Sequence, residues 1–396
     1  PKLKNYDDYQ LIGKSSQRID ISEKVNGSSI YGMDVRIPGM LHAVIRQSLI
    51  RGGTLNEYNE KEALNVNGVK AVVPIPSQQV ILKKYPEAIA VVAGSNWQAM
   101  KGMEVLNPIF KGGDTLNLSS NKIDKIFKKE INKIKFPEIN ISKKTFEIEY
   151  DTPLYAHTTI EPLNFTVNYT DNQCEVWGPT QSQTELEFYI KELTGFSSDK
   201  IKINITSIGG SFGIKQTFDA LVQAITISKS LKKPIQVMWT REQEIQNSYP
   251  MQMNKNKIRI SVNEKGFPIQ WDHKIVNSHS FAHRDPKFKK WLDKWDWEPN
   301  TSEGFPPVYN INKFSLGNKS VDLGLVSYNF RTTGCNQNCF VIESVIDEAA
   351  SKAKINPIDY RLMLLKNNQR HHSLLKNIAN DSNWDENLES GYGKGV

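Results

Sequence analysis

The stretch 200–239 constrains the fold most. It holds an alternating strand pattern at 200–208, the glycine loop Gly209-Gly210-Ser211-Phe212-Gly213, a helical pattern at 218–231 and a second strand pattern at 234–239. A strand, helix, strand crossover demands a mixed α/β layer, because the apolar side of the helix must cover a sheet face. With 396 residues the chain exceeds what one hydrophobic core serves, so two or more domains are expected.

Residues 1–19 read as an irregular leader, 20–109 as a small α+β domain, 110–145 as a Lys- and Asn-rich linker, and 146–396 as a mixed α/β domain. Strand character is expected at 29–35, 40–46, Val69–Ile75 and the continuously apolar Ala88–Ala93, followed by a helix capped by Ser95 or Asn96. The linker carries one amphipathic helix near 122–135. Further strands are expected at 146–150, Asn164–Tyr169 and 175–177, then a helix at 183–193 closed by Gly195. A helical stripe at 338–353 and an Asn356-Pro357 helix start follow, with a loosely held end after Ile378.

Composition excludes several function classes. Hydrophobic residues at 38% and charged residues at 23% describe a globular chain, not a disordered one. The net charge of +7 comes mainly from lysines dispersed among carboxylates, a solvated surface and not a nucleic-acid site. No apolar run approaches the roughly 18 residues of a membrane span, and residues 1–20 lack a signal-type apolar core. Cys174, Cys335 and Cys339 are too few for an iron-sulfur cluster. Cys335 and Cys339 read as small buried residues at a loop-to-helix junction.

Four segments carry chemistry. The glycine loop, between a strand and a helix, lets a ligand approach the backbone and suits an anion. It fits neither the phosphate loop nor the dinucleotide fingerprint, but it matches the Gly-x-Ser-x-Gly elbow, with Ser211 as a nucleophile. His279, His283 and His371 follow without a recognisable motif, and a plain tight connection is the simplest alternative. In Trp177-Gly178-Pro179-Thr180-Gln181-Ser182-Gln183 a strand ends in amides that can donate to an oxo group, or in ordinary helix caps. Phe330-Arg331-Thr332-Thr333-Gly334 places an arginine before a long helix, free for bidentate anion binding or for a surface ion pair. His157 and Glu161 share one loop, where hydrogen bonding is the default and a metal site lacks a second histidine.

Taken in order, these segments resemble the large, molybdopterin-binding subunit of isoquinoline 1-oxidoreductase, in the xanthine dehydrogenase and aldehyde oxidase family. The resemblance rests on Arg18-Ile-Asp20, Lys24-Val-Asn-Gly27, Pro38-Gly-Met-Leu41, Ala90-Val-Val-Ala93, Glu161-Pro162, Trp177 to Gln181, Gly209 to Gly213, Trp239-Thr-Arg-Glu242, Phe330-Arg331 with Gly334 and Gln337, Asp347-Glu348 and Asn356-Pro357.

The resemblance implies an α+β chain: an α/β hammerhead domain followed by a mixed α/β molybdopterin-binding domain. It implies a molybdenum-molybdopterin cofactor, in its plain or cytosine dinucleotide form, and oxidative hydroxylation of an N-heterocycle or aldehyde with water as oxygen source. Gln181 would donate to an oxo ligand, and Gly209, Gly210, Ser211, Phe212 and Gly213 would pack at the cofactor. Arg331, with Gly334, would lie at the cofactor or substrate pocket. Implied partners are a segment carrying the second molybdopterin-binding half and a small subunit with [2Fe-2S] clusters, and the implied location is the periplasm, with the cytoplasm as the alternative. This sequence departs from the family at Ser211 and at Ile214-Lys215-Gln216, and the family's later general-base glutamate is not found in it. A non-catalytic scaffold that keeps the fold without molybdenum is the rival reading, and a serine hydrolase is a third.

Overall fold

The computed structural model describes residues 3–81, 83–138, 144–279, 290, 294 and 297–396. His283 and part of the 110–145 stretch lie outside the described residues.

A seven-stranded mixed sheet has the order β11-β10-β9-β12-β1-β6-β3. Its strands are β1 (Leu41–Gln47), β3 (Val69–Ile75), β6 (Ala88–Ala93), β9 (Asn164–Tyr169), β10 (Cys174–Gly178), β11 (Ile201–Ile205) and β12 (Ile235–Met238). β1 runs parallel to β12 with Leu41 opposite Ile235, so the sheet is continuous between residues of the 20–109 and 146–396 stretches. Every residue of β6 is buried, as a strand covered on both faces requires. One face packs under the helix Asp219–Leu231 through Leu221, Ala224 and Ile225. On the other side, the helix Asn96–Leu106 buries Ala99, Met103 and Leu106 against Val91 and Ile89. Gly102 is required in that helix, since a Cβ would stand 2.7 Å from Val91. The Ser95 side chain accepts the Gln98 amide at 3.3 Å. Ser95→Ala is therefore expected to cost about 1 kcal/mol, read by urea unfolding.

A second sheet, β15-β14-β13-β8, comprises β8 (Thr145–Thr152), β13 (Asn254–Val262), β14 (Pro268–Ser278) and β15 (Lys313–Val321). The helix Gly334–Ala353 packs Val341, Val345 and Ile346 on it. Two short ribbons complete the strands: β2 (Thr54–Glu57) with β7 (Ile109–Lys111), and β4 (Gln78–Val80) with β5 (Lys83–Tyr85). The expected amphipathic helix is present at Ser120–Lys133, and its stripe Ile123, Phe127 and Ile131 packs with Val276 of β14.

Two expectations need correction. Residues 29–35 form no strand: Tyr31 makes a single bridge to Ser207, and Gly32–Asp34 is a 3-10 turn. The Asp34 carboxylate accepts the Tyr31 amide at 3.0 Å, a local bond that competes with sheet pairing. Cys335 is only half-buried and Cys339 is exposed, because both sit on the outer side of the first turns of the helix Gly334–Ala353.

Buried polar groups in the second sheet are paired in a chain. The His273 Nε2 donates to Asn256 at 2.9 Å, and its Nδ1 accepts from the Trp271 indole at 3.4 Å. A second ring proton would face the indole N–H, and burial pushes the imidazole down to about 3. Since the unfolded histidine binds its proton near its usual value of about 6.5, the unfolded state takes up more protons between those two values. Stability is thus present above about pH 6.5 and falls by about 1.4 kcal/mol per pH unit below it. The unfolding midpoint should drop on going from pH 7 to pH 5, and His273→Gln should flatten that dependence.

Candidate functional site

The glycine loop leaves β11 and ends in the 3-10 turn Ile214–Gln216. Gly210 and Gly213 take positive φ of 93° and 115°. A Cβ at Gly213 would stand 2.0 Å from the Asn329 carbonyl oxygen, which brings the glycine loop against the segment that carries Arg331. Phe212 and Phe330 stack at 6.1 Å across this junction. Gln181, at the end of β10, joins them: its Oε1 accepts the Gly213 amide at 3.1 Å, and its own amide donates to the Lys215 carbonyl at 3.1 Å. The side-chain NH2 of Gln181 is left to donate outward.

Gly209, Gly210, Ser211, Phe212, Gly213, Gln181 and the 329–331 segment therefore meet at one place. Arg331 is exposed and makes no side-chain hydrogen bond or ion pair among the described residues. Gly334 is placed elsewhere: it packs on the Asn300 carbonyl, where a Cβ would stand 2.0 Å away, and so seats the start of the helix that follows Arg331. That helix is also held by Gln337, whose side chain accepts from Asn254 of β13 at 3.2 Å and donates to the Gln252 carbonyl.

The loops meeting here store backbone strain. Thr158, Phe212, Thr332 and Thr333 have φ of 44°, 52°, 65° and 42°, a region that non-glycine residues seldom adopt and that clusters at functional sites.

Sequence reasoning missed the foundation of the site. Lys215 is fully buried, and its Nζ donates to Glu161 Oε2 at 2.5 Å. The same oxygen accepts the Gly209 amide at 2.8 Å. Burial pushes the Lys215 ammonium below the usual lysine value, an effect opposed by its bond to Glu161. Nearby, Glu244 accepts from Thr159 at 2.9 Å and from Arg241 at 2.7 Å. His157 is buried, with Nε2 at 2.9 Å from the Asn329 carbonyl and its ring 5.0 Å from Phe330. His157 and Glu161 thus make the hydrogen bonds expected of them. Lys215 gave no local signal, because its partner lies in a loop far upstream.

Ser211 has no imidazole partner among the described residues, and its carbonyl only closes the turn to the Ile214 amide at 2.9 Å. No group of His, Cys, Asp and Glu able to hold a metal ion occurs among the described residues.

Directly after the loop, a cleft of about 1000 Å³ opens, lined among others by Gln216, Phe218, Tyr189, Tyr249 and Tyr328. Its wall is fixed by Asp219, which accepts from Tyr249 at 2.7 Å and from Lys83 at 2.9 Å.

The donor set fits an oxo-bearing anionic group. The amides of Gly210, Ser211 and Phe212 donate to no acceptor among the described residues. They lie beside the Gln181 side chain and next to the segment that carries Arg331, where glycine lets a ligand reach the backbone.

The sequence profile of the molybdopterin cofactor-binding domain matches residues 137–365, more than half of the chain. The chain belongs to that family. It is 26% identical to the beta subunit of isoquinoline 1-oxidoreductase from Brevundimonas diminuta, over 96% of this chain and 50% of that protein. It is 25% identical to a nicotinate dehydrogenase subunit from Pseudomonas putida, over 96% of this chain and 33% of that one. The chain thus spans half or less of the length of these relatives. The fold is that of quinoline 2-oxidoreductase from Pseudomonas putida 86, with TM-score 0.65, 15% identity and coverage of 89% of this chain and 50% of that chain. The aldehyde oxidoreductase of Desulfovibrio gigas matches with TM-score 0.61 and 17% identity, over 87% of this chain and 42% of that chain. No helix among the described residues is long and apolar enough to cross a membrane.

Proposed function

We propose that this chain is the cofactor-holding part of a molybdenum hydroxylase that oxidises an N-heterocyclic aromatic or an aldehyde, taking oxygen from water. The observation that carries this is the unsatisfied row of amides at Gly210, Ser211 and Phe212 beside the Gln181 side chain. Molybdenum-molybdopterin, when bound, supplies the two-electron oxidation; the residues of the chain bind and orient. Backbone N–H groups and the Gln181 amide are fixed before binding, so they stabilise charge without reorganising. Arg331, exposed and next to Phe330, would offer its guanidinium to an anionic edge of cofactor or substrate. The cleft beyond Gln216, with its phenol and phenyl walls, suits a flat aromatic substrate.

The cytosine dinucleotide form of the pterin, a small [2Fe-2S] partner that receives the electrons, a segment carrying the second molybdopterin-binding half, and a periplasmic location belong to the same proposal. For a partner segment, support comes from the relatives being named as subunits and from the half-length match. Turnover of quinoline, isoquinoline and benzaldehyde by the complete complex in 18O-labelled water, with a dye acceptor, tests it. Product carrying the label is expected; unlabelled product, or no oxidation of any of the three, would reject the reaction.

A further inference from the structure

Glu161 joins segments that are distant in sequence. Its Oε2 takes the Gly209 amide at 2.8 Å and the Lys215 ammonium at 2.5 Å. Its Oε1 takes the Met33 amide at 3.3 Å and the Asn164 side chain at 3.2 Å. Its own amide donates to the Gly209 carbonyl at 2.9 Å. The glycine loop therefore begins and ends on one carboxylate, with the unsatisfied amides of 210–212 between the two anchors. The far anchor continues outward, because the Lys215 carbonyl accepts the Gln181 amide at 3.1 Å and the Thr180 hydroxyl at 3.4 Å.

We propose that the buried Glu161–Lys215 ion pair is a positioning device, which sets the span of the glycine loop and, through the Lys215 carbonyl and Gly213, the aim of the Gln181 side-chain amide. A buried ion pair adds little stability over apolar groups of the same size, so its presence beside the loop points to a geometric role. Space around the pair leaves no slack: a Cβ at Gly209 would stand 2.5 Å from the Glu161 Cβ. Met33 brings the stretch before β1 onto the same carboxylate, so the pair also seats that segment against the loop. Neither side chain touches substrate or cofactor in this scheme; both act through Gln181 and the loop amides.

This inference rests on the loop being the cofactor-facing element, and its test separates the two. The double variant Glu161→Gln with Lys215→Met removes both charges and the tie between positions 161 and 215. In the complete complex it should fold, while hydrogen exchange in peptides covering 209–216 and 177–183 accelerates by about tenfold and peptides of β6 keep wild-type rates. Turnover should fall by about a hundredfold with KM changed less than about twofold, since misplaced donors cost rate more than binding. Wild-type exchange in the loop would overturn the proposal. If the double variant fails to fold, Lys215→Arg, which keeps the charge and moves the donor, decides. Turnover lowered at unchanged KM is expected of it, and unchanged turnover would overturn the proposal. Loop exchange is read with or without molybdenum, so faster exchange in the double variant, when the wild-type complex is itself free of molybdenum, would uphold the positioning role and reject the cofactor reading alone.

Discussion

Gly213→Val is expected to destabilise the chain by roughly 4 kcal/mol or more and to abolish turnover. Two independent penalties meet at this position. The backbone stands at φ 115°, where a β-branched residue is a strained outlier. The new Cβ would also stand 2.0 Å from the Asn329 carbonyl oxygen and 3.6 Å from the His157 ring. Backbone cannot yield as a flexible side chain does, so the glycine loop and the 329–331 segment must part. That separation breaks the Phe212–Phe330 stack and removes Gly213 from Gln181. Urea unfolding measures the first effect and substrate oxidation the second. Gly195→Ala serves as the comparison: φ is also positive there, at 74°, but no atom lies within 4 Å of the added Cβ, so only the conformational cost of about 1–2 kcal/mol applies.

Gln181→Glu is expected to lower turnover by roughly 100- to 1000-fold while leaving stability almost unchanged. A carboxylate oxygen can still accept the Gly213 amide, as Gln181 Oε1 does at 3.1 Å, and the backbone bond from residue 181 to the Lys215 carbonyl is untouched. The variant therefore keeps the loop and replaces only the outward-facing donor with an acceptor that repels an anion. Gln181 is exposed, so the ionised side chain carries little desolvation cost. Steady-state kinetics on the complete complex, with thermal unfolding as control, separates loss of the donor from loss of fold. Turnover within about twofold of wild type would mean that this amide does not face the reacting centre.

Local signals were legible where local physics decides. β9, β3 and β6 lie at the expected residues because apolar alternation or a continuous apolar run fixes a strand in place. Gly195 ends its helix in the left-handed region, and Asn356 caps the helix Pro357–Leu364 by accepting the Ile358 amide at 2.9 Å. β13 and β14 were not anticipated, although Lys257-Ile258-Arg259-Ile260 alternates and Gly266 turns the chain back at φ 86°. Their buried faces carry Asn254, Asn256, Asp272 and His273, polar residues that become acceptable inside only through partners: Asn256 bonds Asn254 and His273, and Asp272 pairs with Arg259. No window of sequence reveals such mutual satisfaction.

The candidate site divides in the same way. Gln181, the glycine loop and Arg331 were singled out by residue type and order, and the fold brings the loop, Gln181 and the Arg331 segment together. What holds them was hidden: Glu161 and Lys215 pair across more than fifty positions, and the strain at Thr158, Phe212, Thr332 and Thr333 exists only once the loops are packed.

Metal analysis of the complete, purified complex bears most directly on the claim that these donors hold a molybdenum-molybdopterin cofactor. The account predicts roughly one molybdenum per chain, together with a fluorescent pterin product on acid oxidation, both lost in Gly213→Val. A fully assembled complex, made with molybdenum supplied and carrying neither metal nor pterin, would contradict it.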